Sequence, residues 1–221
     1  DYDNKNIEQQ FDLGHIDVIK PRIEKVSSTR DESAKTETIV FNVIDKYLDT
    51  SDAVTENEIS AYVDGENAST LTKTLTRVTA NDITATVNGT SQTVSQQYKL
   101  VLSNFEQTRT SINTARNFKD WSGTVSIDID EGAVKDQIKN ITTSTGTGVE
   151  TIQSGNNTND KTTIDADFVD FIQPEVTYKY SSSDINYTNK TFTMTFDITD
   201  KYYTTGTTIT TENLTDYLSI K

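Results

Sequence analysis

Cysteine is absent from the 221 residues, histidine occurs once and proline twice. Without a thiol there is no disulfide framework, no zinc–thiolate site and no cysteine nucleophile. With His15 alone, a poly-histidine metal site is excluded. Basic residues are scarce: 20 Lys and Arg stand against 34 Asp and Glu, a net charge of −14. That balance disfavours nucleic acid, whose phosphates demand excess cations, and docking on an anionic membrane. No run of apolar residues exceeds three, so no helix long enough to cross a bilayer is encoded and no membrane insertion is expected. The chain starts at Asp1 rather than Met, which leads us to expect a processed protein or an excised piece. What is abundant is threonine, 39 residues, with 17 asparagines. Threonine branches at Cβ and favours strands over helices.

The apolar residues recur at every second position. Ile39, Phe41 and Val43 alternate with Thr38, Val40 and Asn42; Ile59, Ala61 and Val63 alternate with Ser60 and Tyr62. Tyr98, Leu100 and Leu102 form a third row, and Val125, Ile127 and Ile129 a fourth. Period two with a wet second face predicts half-buried antiparallel strands. Asp64-Gly65, Asn88-Gly89 and Ser122-Gly123 punctuate the runs as turns, and Thr55-Glu56-Asn57-Glu58 fits a capping box opening one helical turn. The expected fold is all-β, an antiparallel sandwich.

Compared with itself, the chain repeats. Residues 41–63 and 196–218 align at a constant offset of 155, pairing Phe41 with Phe196 and Asp45-Lys46-Tyr47 with Asp200-Lys201-Tyr202. Inward positions correspond too, Ile39 with Met194 and Val43 with Ile198. Upstream, 15–21 (HIDVIKP) matches 168–174 (FVDFIQP) at an offset of 153. The expected organisation is a leading segment 1–14, a complete repeat 15–153 elaborated within 66–120, a junction 154–167 of linker composition, and the first half of a second repeat, 168–221.

The run Gly123–Asp130, then Gly132-Ala133-Val134-Lys135-Asp136 and Asn140, resembles the late-strand signature of immunoglobulin-like tandem repeats in large bacterial surface proteins of Gram-positive type. The Asp-Lys-Tyr motif and the run Asn117–Gly123 are similar to such repeats as well, whereas Gln137-Ile138-Lys139 departs from their small, Gly-containing stretch. The resemblance implies an exported stalk or adhesin module displayed in tandem on the cell surface.

Several groups invite a chemical reading. Asn156, Asn159, Asp160, Asp165 and Asp167 place oxygens at the expected junction, where Ca²⁺ with its six to eight oxygen ligands stiffens tandem repeats; a plain flexible linker is the other reading. No EF-hand-type loop accompanies them. Asp128 and Asp130 alternate with Ile127 and Ile129 and are therefore expected to face water. Trp121, the sole tryptophan, either covers the end of the core or stacks on a sugar ring. Lys20 or Lys25 with Asn140 has the residue types of an intramolecular isopeptide bond. No phosphate-binding glycine loop or nucleophile elbow occurs, and no cofactor beyond calcium is expected.

The functional expectation is a non-enzymatic structural or adhesive module: adhesin stalk, surface-layer or filament subunit. Its expected partners are neighbouring repeats, other copies by self-association, and a host or cell-wall glycan or protein. The alternative is a carbohydrate-binding accessory module of a secreted glycan-degrading enzyme.

Overall fold

The computed structural model describes residues 17–106, 121–137, 141–145, 148–153, 157–179 and 184–202. The chain is all-β, with antiparallel sheets and almost no helix. In chain order the strands are β1 (Arg22–Asp31), β2 (Thr36–Ile44), β3 (Ile59–Val63), β4 (Glu66–Asn67), β5 (Thr72–Arg77), β6 (Ile83–Val87) and β7 (Thr90–Ser103). They are followed by β8 (Gly123–Ile129), β9 (Ile141–Thr145), β10 (Gly148–Gln153), β11 (Thr162–Val169), β12 (Glu175–Lys179), β13 (Ile185–Asn186), β14 (Thr191–Phe192) and β15 (Thr195–Thr199). One sheet runs β1-β2-β7-β5 with β6 also on the long β7; the other runs β11-β8-β3-β4. β9–β10, β12–β15 and β13–β14 are separate two-stranded pairs.

The two larger sheets share one core. Ile39, Phe41 and Val43 from β2 and Leu100 and Leu102 from β7 lie in the same buried cluster as Ile59 and Val63 from β3 and Val125, Ile127 and Ile129 from β8. These ten residues, all expected inward from the period-two reading, are at most 1% exposed. Phe41 and Tyr98, directly paired across β2 and β7, stack with centroids 5.4 Å apart.

The turns follow from backbone sterics. Asp64-Gly65 joins β3 to β4 with φ of 51° and 76°, and Asn88-Gly89 joins β6 to β7 with φ of 51° and 79°. Positive φ at both central residues is the type I′ hairpin turn, which Asn-Gly and Asp-Gly tolerate best. The capping box is present: the Thr55 N–H donates to Glu58 Oε2 at 2.7 Å over the single turn Glu56–Glu58.

One part of the expected organisation changes. The stretch read as a junction, 154–167, contains most of a strand. β11 pairs with β8 from Thr162↔Ile129 to Val169↔Gly123, and Ile164, Val169 and Phe171 enter the common core. Just before it, Asn159 is fully buried: its Oδ1 accepts from the Val134 N–H, and its Nδ2 donates to the carbonyls of Asp130 and Asp160, each at 2.9 Å. An amide that satisfies three backbone groups in the interior is a structural plug. Thus the first sandwich extends past residue 153 to Phe171, and its elaboration lies not only in 66–120 but also in the hairpin β9–β10. The leading segment 1–14, Asn140 and Asn156 lie outside the described residues, as do most of 104–117 and the repeat positions after Tyr202.

Truncating Phe41 to Ala is expected to cost about 3–5 kcal/mol by denaturant titration, because a fully buried ring leaves a cavity. A cost below about 1 kcal/mol would contradict its place at the centre of the core.

Candidate functional sites: the terminal-strand seam and the two poles

The chain enters and leaves the sandwich at opposite ends. Residues 17–21 lead into β1 at Arg22, beside Ile44 and the Asp45 turn. We call this the leading pole; Asp49, Lys135, Asp136 and Asn157 are bound together there by backbone bonds. β11 finishes at Val169 opposite Gly123, at the trailing pole that holds Asp64, Phe105, Trp121 and Ser122.

β1 and β11 belong to different sheets, yet their side chains tie them along their length. Lys20 pairs with Asp160; the Lys25 Nζ donates to the Asp165 carbonyl at 2.6 Å. Ser28 Oγ donates to Asp167 Oδ1 at 3.0 Å, and the Arg30 guanidinium to the Phe168 carbonyl at 2.6 Å. The two members of each tie ascend the chain together, so the first and last strands run parallel. Glu37 lies behind this seam in the inward row of β2, fully buried, accepting the Asp167 N–H at 3.5 Å. Burial pushes its carboxyl above the usual range, Asp167 adds to the rise, and the Asp167 N–H, Lys25 and Arg30 work against it.

The oxygens considered for calcium are therefore spread along this seam. Asn159 is spent on backbone, Asp160 holds Lys20, Asp167 receives Ser28 and Asp165 is exposed. Among the described residues no group of three or more His, Cys, Asp or Glu is placed to hold a metal. Trp121 is 1% exposed and its indole N–H donates to Thr70 Oγ1 at 2.6 Å, so it offers no ring face to a sugar. Asp128 accepts from Thr163 Oγ1 at 2.6 Å and pairs with Lys161 at 2.8 Å, contacts that hold its carboxyl below the ordinary range.

At the trailing pole a clasp closes on residues that follow the first sandwich. Asp64 Oδ2 accepts from Lys201 Nζ at 2.9 Å. The Tyr202 hydroxyl lies 2.7 Å from that oxygen and 3.0 Å from the Ser122 carbonyl, which Lys201 also reaches. The other Asp64 oxygen accepts the Thr124 N–H at 2.9 Å. Burial raises the Asp64 pKa, but the bonds from Lys201, Tyr202 and Thr124 outweigh it and the net direction is down. Gly123 is needed for this geometry: its φ is 149°, and a Cβ there would lie 2.3 Å from the Asp64 carboxylate. Phe168 meets the Tyr202 ring edge-on at 4.7 Å, and Phe171 fills the socket against Phe105 at 5.2 Å.

The leading pole is built from the corresponding sequence, and its local geometry corresponds as well. The Tyr47 N–H donates to Asp45 Oδ1 at 2.6 Å, and the Tyr202 N–H to Asp200 Oδ1 at 2.7 Å. Lys46 lies 5.0 Å above the Tyr47 ring, as Lys201 does above Tyr202. The Ile19 N–H donates to Asp17 Oδ1 at 2.9 Å, the Ile172 N–H to Asp170 Oδ1 at 3.4 Å. Strand register agrees too. Arg22↔Ile44, Ile23↔Val43, Glu24↔Asn42 and Lys25↔Phe41 become Glu175↔Thr199, Val176↔Ile198, Thr177↔Asp197 and Tyr178↔Phe196. Each first member is shifted by 153 positions and each second by 155. Burial does not agree: Phe41 and Val43 are fully buried, whereas Phe196 is 38% and Ile198 37% exposed.

No protein-family model, curated protein or solved structure matches the chain.

Asp45 is buried beside Asp17 and Asp136, and burial, reinforced by those two charges against the bond from Tyr47, raises its pKa to about 6. An acid with a raised folded pKa favours folding most below its unfolded value of about 4, and that benefit is lost as pH rises through about 6. Asp45→Asn keeps an oxygen for the Tyr47 N–H. It is therefore expected to raise the melting temperature more at pH 7 than at pH 4.5. Equal gains at the two pH values would contradict the burial of a titrating carboxyl at the turn.

Proposed function

We propose that the chain is a non-enzymatic structural and adhesive module of a bacterial extracellular surface protein, an adhesin stalk, surface-layer or filament subunit. The observation that carries this reading is the opposite-pole connection with parallel terminal strands. A tandem array held at its ends loads each unit along its long direction, and a seam of parallel strands then resists in shear, its ties loaded together rather than one by one. The bacterial setting rests on the resemblance of Gly123–Asp130, Gly132–Asp136 and the Asp-Lys-Tyr motif to surface-protein repeats.

The units are immunoglobulin-like in this reading. The orders β1-β2-β7-β5 and β11-β8-β3-β4 correspond to the ABED and GFC sheets of that fold with one added edge strand. The equivalent registers and turns of β1–β2 and β12–β15 support a second unit that begins at Asp170. Its apolar side chains Val176, Tyr178, Phe196 and Ile198 are exposed, whereas Ile23, Phe41 and Val43 of the first unit are buried.

Stretching the full chain between its ends in a force spectrometer tests the load-bearing role. Lys25→Met with Arg30→Met is expected to lower the unfolding force of the first sandwich. Equilibrium stability should change by no more than about 1 kcal/mol per tie, since exposed polar pairs contribute little at equilibrium. An unchanged force would remove the mechanical basis of the proposal.

A further inference from the structure

The trailing pole is occupied by the chain's own Phe171, Lys201 and Tyr202, whereas the leading pole presents the corresponding residues outward. Val18, which corresponds to Phe171, is 78% exposed where Phe171 is 7% exposed. Ile19 is 71% exposed, and Lys46, the counterpart of Lys201, is exposed. By contrast the Lys201 side chain is only 15% exposed in its clasp. Ile19 and Lys46 border one groove with Asp17, Lys20, Arg22, Ile44 and Asp45, so the apolar and cationic parts form one surface.

We propose that this leading pole is a docking surface for the trailing pole of a second copy of the chain, by the contacts seen within the chain. Lys46 reaches the Asp64 carboxylate and the Ser122 carbonyl of the other copy, and Val18 enters the socket beside Phe105. The inference rests on the repeat reading above and names the partner of its first unit. Charge and shape fit: a cationic groove edge, Lys46 with Lys20 and Arg22, and two exposed aliphatics face an acidic hairpin turn packed against Gly123 and an aromatic socket. The contact is heterologous, because the two surfaces differ and lie at opposite ends, so copies add head to tail in one direction. In an isolated chain the tethered hairpin competes at the millimolar effective concentration of a short linker and holds the trailing pole closed. Docking between copies therefore requires the hairpin to be released.

The test uses the full chain in two forms. An acceptor form carries Phe171→Ala, Lys201→Ala and Tyr202→Ala to open its trailing pole, with Val18→Asp and Lys46→Ala to disable its own leading pole. The wild-type chain is the donor. Sedimentation velocity should show the acceptor form alone as a monomer and a 1:1 complex with wild type. That complex should weaken at least tenfold when the donor carries Val18→Asp and Lys46→Ala. Burial of Trp121, read by its fluorescence, verifies that the acceptor form is folded; if it is not, Lys201→Ala with Tyr202→Ala keeps Phe171 in the core and replaces the triple opening, and the donor is then tested through Lys46→Ala alone, because Phe171 still fills the socket. No complex with a folded acceptor, or a complex indifferent to Val18 and Lys46, overturns the proposal. Association that persists in the disabled donor would instead arise from the apolar face of β12–β15, and it too overturns the pole-to-pole contact. The unfolding force of a single chain is independent of all these outcomes, so the load-bearing role stands or falls separately.

Discussion

A sheet with apolar side chains on one face has to bury that face, and in a chain without disulfides the core bears most of the burden of holding the sheets together. Here β2 and β7 supply one wall and β3 and β8 the other. Ten inward side chains that are at most 1% exposed set the distance and register between them. The rest depends on this pairing. β11 adds to β8 because β8 already stands with its far edge available, and adding there places the last strand alongside the first. The parallel seam, and with it the separation of the two poles, is a consequence of filling the second sheet.

The same chemistry produces different outcomes at the two poles because their surroundings differ. Asp45 and Asp64 are both carboxylates at strand ends. Asp45 is pushed toward neutrality by burial, with Asp17 and Asp136 adding to it; for Asp64 burial acts the same way, but Lys201, Tyr202 and a backbone N–H outweigh it and favour the ionised form. Each raised or lowered pKa is a preference for one charge state in the folded protein. Asp45 therefore opposes folding increasingly as pH rises from about 4 to about 6, whereas the clasp at Asp64 is lost only when pH falls below the carboxylate range.

The legible part of the fold was what period two encodes. Phe41, Val43, Ile127 and their neighbours alternate strictly, and Asn88-Gly89 and Asp64-Gly65 turn where the backbone needs positive φ at two successive residues. β11 was hidden for physical reasons. Its alternation holds through Ile164 and breaks at the bulge between Asp165 and Phe168, which turns Phe168 outward and Val169 inward. Asn156–Asp160 has the composition of a linker, and composition does not reveal whether an asparagine faces water or fills a buried site, as Asn159 does. Glu37 was similarly obscured: its parity places it in the core row, but a carboxylate in that row breaks the apolar pattern that made the row visible. Asp64 as a docking partner was not legible at all. It read as half of a turn, and only the position of Lys201, 137 residues later, gives it a second role.

The clasp adds a constraint that a turn by itself lacks. Lys201 and Tyr202, closed on Asp64 and Ser122, are held there by the first sandwich. Mutation of Asp64 or Gly123 thus acts twice, on the turn after β3 and on the seating of Lys201 and Tyr202. Meanwhile the chain as a whole is acidic, and a net charge of −14 keeps copies apart by mutual repulsion at distances within the Debye length. Contacts between such chains form only where cations are concentrated against a carboxylate and an apolar surface is excluded from water together with them. The turn Asp200-Lys201-Tyr202 meets that condition in a compact way: the aspartate fixes the backbone, the tyrosine ring lies under the lysine ammonium, and the ammonium and hydroxyl converge on Asp64 and the Ser122 carbonyl.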